Sequence, residues 1–105
     1  MDKEIKFKVW CDTKEEADAC LDKLNKMGYR GITDYTLPVI IYWSLETKGI
    51  TKDILVGNQQ RKVLYRYWEN DETSYINYYR TTIQDLLEDK WLVSHRIKNI
   101  KEIVL

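Results

Sequence analysis

The stretch Lys3–Gly31, KEIKFKVWCDTKEEADACLDKLNKMGYRG, reads as a strand, a helix cap, an amphipathic helix and a glycine stop. Ile5, Phe7, Val9 and Cys11 alternate with Lys6, Lys8 and Trp10. That period of two predicts a half-buried strand with its lysines facing water. Trp10 departs from the polar set, and its ring suits either a cover over a neighbouring strand or a surface groove. Asp12 ends the strand; with Glu15 three residues on, DTKE reads as a capping box. Glu15 and Glu16 also suit the positive end of a helix dipole. Ala17, Cys20, Leu21, Leu24 and Met27 then fall on one stripe at helical spacing. Gly28 supplies a left-handed stop, and Tyr29 the apolar contact that follows it.

Outward from this unit, Arg30–Thr36 is a connection with Gly31 and Asp34 as its turn residues. Leu37–Leu45 is a second strand, with Pro38 near its start. Val39, Ile41 and Trp43 point one way, and Ile40, Tyr42 and Ser44 the other. Both sets are largely apolar, so this strand is central or covered on both faces. Turns at Lys48-Gly49 and Gly57-Asn58 bracket a short strand within Ile50–Val56. Gln59–Trp68 reads as a strand, with Val63, Tyr65 and Tyr67 opposite Leu64, Arg66 and Trp68. An acidic turn follows at Glu69–Glu72. Ser74–Arg80 fits two patterns: Tyr and Ile favour a strand, while Tyr75, Tyr78 and Tyr79 also fit one face of a helix; it is read as an extended or irregular lead into the last helix. Thr81 or Thr82 caps that helix, with Gln84 or Asp85 at the box position. Ile83, Leu86 and Leu87 are its apolar stripe, which Trp91 extends. Leu92–Ile97 and Lys101–Leu105 read as closing strands. The sum is a single α+β domain over residues 1–105, with a mainly antiparallel sheet and two helices on one face. A ferredoxin-like or split βαβ arrangement is its most economical topology.

Composition narrows the function. Lys+Arg and Asp+Glu both total 17, so the formal net charge is zero. A long nucleic acid is not favoured as a partner, because its binding draws on an excess of cations. The start MDKEIKFK is charged at once, unlike a secretory signal. The longest apolar run, Leu37–Trp43, is too short to span a bilayer. Cys11 and Cys20 make no disulfide framework and read as reduced thiols. The expectation is a soluble, cytoplasmic protein without a membrane partner.

Catalytic and metal signatures are missing from the pattern. The chain has one histidine, His95, and its two cysteines lack zinc-ligand spacing. No glycine-rich phosphate loop or nucleophile elbow occurs. The expectation is therefore no catalytic residue, no metal and no cofactor. Aromatic composition is the unusual feature, with eight Tyr and four Trp against one Phe. Tyr65, Arg66, Tyr67, Trp68, Tyr75, Tyr78, Tyr79 and Arg80 fall close together. Tyr and Trp are good strand formers, which alone accounts for such a cluster. The functional reading is a binding surface, its rings giving rigid contact area and its arginines forked donors. A protein or a small nucleotide fits it. An edge strand and exposed rings are also compatible with a homodimer.

The opening resembles small accessory proteins of bacteriophages and prophages of low-GC Gram-positive bacteria. It shares a short strand, then Thr13-Lys14-Glu15-Glu16-Ala17, then Leu21, Leu24, Gly28 and Tyr29. The resemblance implies a phage accessory protein, and such proteins often block host defence. It assigns no functional residue. Two expectations follow: an inhibitor of a host-defence protein such as a CRISPR effector, or a small-ligand binder that sequesters a signalling nucleotide. A virion or replication accessory protein is a third.

Overall fold

In the computed structural model, which describes residues 4–54, 60–69 and 76–94, the first strand, β1 (Glu4–Cys11), is the backbone of the domain. Its odd residues Phe7, Val9 and Cys11 are buried on one face of the sheet. The helix α1 (Lys14–Lys26) lies over that face, burying Ala17, Cys20, Leu21 and Leu24. Its cap sits one residue later than the sequence suggests. Thr13, in an extended conformation, accepts from the Glu16 amide, and the Glu16 carboxylate returns to the Thr13 amide at 3.1 Å. The same carboxylate oxygen reaches the Asp12 amide at 3.2 Å. Asp12 is drawn away from the cap by an ion pair with Arg61 at 2.5 Å. At the other end Gly28 has φ +96°. The Tyr29 amide donates to the Leu24 carbonyl and the Gly28 amide to that of Asn25, the two bonds of a Schellman stop.

The chain then returns as an extended connection. Arg30 pairs with Lys48 and Ile50 through its backbone, and Tyr35 Oη donates to Asp18 near the start of α1 at 2.6 Å. That return brings β2 (Val39–Ser44) in antiparallel to β1 and directly beside it. β3 (Ile50–Asp53) pairs antiparallel with β2, and β4 (Ile76–Arg80) pairs parallel with β1. The sheet order is β3-β2-β1-β4. This is an α+β domain with a mostly antiparallel sheet, as the pattern predicts. It is not ferredoxin-like: a split βαβ would set a strand between β1 and β2 and run them parallel.

The segment expected as a strand at Gln59–Trp68 is instead a helix, α2 (Gln60–Glu69). Leu64 and Trp68, four residues apart, share the helix face that meets Ile40 and Tyr42 of β2 and Trp10 of β1. A run dense in large apolar residues satisfies both periods, and the second apolar face of β2 decides between them by needing a cover. The two expected helices do share the opposite face: α1 meets α3 (Ile83–Leu87) there, with Leu86 buried in the main core. α3 is capped by Thr82, which accepts from the Asp85 amide at 3.0 Å. Trp91 heads a single helical turn, α4 (Trp91–Ser94), which takes in Leu92–Ser94, the start of the strand expected over Leu92–Ile97. It stands edge-on to Phe7 and Trp43, with centroids 4.7 and 5.6 Å away. The expected strand at Lys101–Leu105 lies outside the described residues.

α2 also corrects the solvent-facing role given to the β1 lysines. Lys8 is 1% exposed, and its Nζ lies 5.6 Å from the centroid of the Trp68 ring. Lys6 is half-buried.

Candidate functional site

The eight residues proposed as a surface do not stay together. Tyr65 and Arg66 stand on α2 and are exposed, Tyr65 by 57%. Trp68, on the inner side of the same helix, is half-buried against the sheet. Tyr79 turns into the core, its ring 5.4 Å from that of Phe7. That is a correction forced by strand alternation: the parallel register puts Tyr79 beside Phe7, on the α1 face. Arg80, exposed at the end of β4, pairs with Glu69 at 3.1 Å and lies 6.0 Å over the Trp68 ring. Tyr75 lies outside the described residues, as do the side chains of Tyr67 and Tyr78.

The residue that the cluster lacked is Trp10. Its ring meets Tyr65 and Trp68 edge-on, at 6.2 and 6.1 Å between centroids. The Arg61 guanidinium lies 5.7 Å over it. The only signal for this in the sequence is that Trp10 breaks the polar half of β1. Three rings from two elements therefore form one wall, with cations against the two indoles. Beside it, the Arg61 guanidinium and the Trp10 indole hold the Asp12 carboxyl below its usual range, and Asp12 in turn raises Arg61.

Trp10 divides two hollows. One, of about 390 Å³, is bordered by Trp10, Arg61, Lys62 and Tyr65. The other is a cleft of about 710 Å³ between α2 and α3. Trp10 and Trp68 line it from one side, and Ile83 and Leu87 from the other. Thr81 lines it as well, with Glu16 and Glu88 adding carboxylates and no Lys or Arg among its lining residues. Its size suits a small ligand or one or two large side chains.

Cys11 and Cys20 are both buried as free thiols. The Cys20 thiol is pushed far up, first by its hydrogen bond to Cys11 and then by burial, which keeps it protonated and unreactive. His95 lies outside the described residues. Among the described residues no group of three or more His, Cys, Asp or Glu could hold a metal ion. Among them, too, no helix is long and apolar enough to cross a membrane. No protein-family model, no curated protein and no solved structure matches this chain.

Proposed function

We propose that this chain is a non-catalytic binding protein that occludes a partner protein through the face built by Trp10, Tyr65 and Trp68. The observation that carries the reading is Tyr65: a large ring, 57% exposed, held on a helix whose inner side is anchored by the fully buried Leu64. Rings held in this way contribute contact area with little loss of side-chain freedom on binding. Arg61 and Arg66 flank it as exposed forked donors. Taken with the likeness of the first quarter of the chain to phage accessory proteins, the partner is a host-defence protein such as a CRISPR effector, met in the host cytoplasm. The test is affinity capture from an infected host with the wild-type chain and with a Tyr65→Ala, Arg66→Ala variant. A stoichiometric partner retained only by the wild type supports the reading; equal retention by both dismisses the face.

A second reading has its own support. The smaller hollow sets an indole and a phenol beside Arg61 and Lys62, a combination that suits a stacked base with its phosphate. It makes the chain a sequestering protein for a small nucleotide. A thermal-shift panel of linear and cyclic nucleotides tests it. A flat response, or one unchanged by Arg61→Ala with Lys62→Ala, counts against it.

A further inference from the structure

The larger cleft opens on an interrupted strand edge. The parallel ladder between β1 and β4 ends at Lys8 and Arg80, where the Thr81 amide donates to the Lys8 carbonyl at 2.9 Å. The chain then turns into α3. Backbone groups on one edge of a strand belong to alternate residues, so the next amide and carbonyl on that edge of β1 are those of Trp10. Phe7, Val9 and Cys11 face β2 instead, as the Leu45 amide to Ile5 carbonyl bond fixes. No described strand faces Trp10 on the cleft side, and Trp10 lines the cleft.

Two further observations mark this edge as a place for a ligand. Thr81 is 6% exposed and lines the cleft, and its Oγ1 has no hydrogen-bond partner among the described residues. The other buried orphan among the described residues, the Trp43 indole nitrogen, is in the main core. Charge also changes sign across Trp10, from Glu16 and Glu88 on the cleft side to Arg61 and Lys62 on the other.

We infer that the cleft receives an extended peptide segment of the partner protein, which adds a short rung to β1 where β4 leaves it. Strand addition of this kind takes affinity from main-chain bonds and selectivity from pockets for alternate side chains. Here the peptide pairs with the Trp10 amide and carbonyl. It seats one bulky apolar or aromatic side chain between Trp10, Trp68, Ile83 and Leu87. An acidic residue nearby meets Arg61 and Lys62. A phosphorylated ligand does not suit this cleft, whose lining carries carboxylates and no cation. The inference rests on the protein-binding reading above and names what that partner presents.

The test uses the full chain against a displayed library of random twelve-residue peptides, followed by fluorescence anisotropy of the synthesised consensus. The expected consensus has one bulky apolar residue with an acidic residue close by. Leu87, 45% exposed at the cleft, is replaced without touching the core, and Leu87→Glu is expected to raise the Kd at least tenfold. N-methylation of the peptide at its pairing residue removes one main-chain bond and is expected to cost about tenfold. Thr81→Val discriminates a binding role from a structural one: it leaves the free protein as stable or more so, yet weakens the consensus peptide. No enriched sequence, or a consensus that binds Leu87→Glu as tightly as wild type, overturns the inference. A host partner captured through Tyr65 but indifferent to Leu87→Glu would likewise overturn it and leave the protein-binding reading standing. A cleft-specific peptide without any captured host protein would sink the host-inhibitor reading alone.

Discussion

The indole of Trp68 meets that of Trp10 edge to face, with centroids 6.1 Å apart and planes at 75°. The pair ties α2 to β1 across the second face of the sheet, above the buried Lys8. Edge-to-face ring pairs of this kind add to the stabilisation from burial. The pair makes α2 a structural layer, with Arg61, Lys62, Tyr65 and Arg66 exposed on its outer side.

Leu64 and Tyr65 are neighbours with opposite roles. Leu64 is fully buried between α2 and β2, so Leu64→Ala should cost about 2–5 kcal/mol of stability. Tyr65→Ala, which leaves the core intact and loses its edge contact with Trp10, should cost no more than about 1 kcal/mol. Urea denaturation of the two variants checks this. Similar losses for both would contradict the placement of α2.

The cap of α1 gives a second ordering. Thr13→Ala removes the acceptor for the Glu16 amide and should cost about 1 kcal/mol. Asp12→Ala breaks its exposed ion pair with Arg61 and its bond from the Trp10 indole, both outside the cap, and should cost less than Thr13→Ala. The reverse ordering of the two unfolding midpoints would restore the DTKE box.

Much of this fold is legible in the sequence. The alternation of Ile5, Phe7, Val9 and Cys11, the stripe from Ala17 to Leu24 and the Gly28 stop fix β1 and α1. The apolar faces of β2 announce a strand covered on both sides. What covers the second face is not legible, because Val63 to Trp68 fits either period and tertiary packing chooses. The same choice hides the site. Read as a strand, Tyr65 and Trp68 fall on opposite faces; on a helix both reach Trp10, a residue 55 positions earlier than Tyr65 by the numbering. Strand parity likewise sends Tyr79 to the core, through a β1–β4 register that no local pattern encodes.

Gly31 is a further point where packing exceeds local pattern. A Cβ there would lie 2.1 Å from the Ile50 carbonyl oxygen, in the bridge that carries Arg30 past Gly49. Gly31→Ala must push that backbone apart, and a loss of about 1–3 kcal/mol is expected from such overpacking. A thermal melt unchanged by the substitution would refute the contact.

Tyr29 gives the domain an alkaline limit. It is 3% exposed, and burial, helped by the nearby Glu46 charge, pushes its phenol from 10 to about 12. The unfolded chain then loses this proton first, so the Tyr29 contribution to stability is full below pH 10 and falls as pH rises toward 12. The loss should approach about 2–3 kcal/mol. Urea titrations across pH 9 to 12 should show a smaller fall in Tyr29→Phe than in wild type, the remainder coming from the buried Cys20 thiol, whose proton the folded state also retains. An equal fall in both would contradict the assignment.

Quantitative capture from an infected host, comparing wild type with Tyr65→Ala, Arg66→Ala, tests the Tyr65 face most directly. One partner should be held near equimolar by the wild type and lost from the variant, with both proteins equally folded. Equal capture by the two, or catalytic turnover by the purified wild type that Cys11→Ala abolishes, would contradict the binding reading.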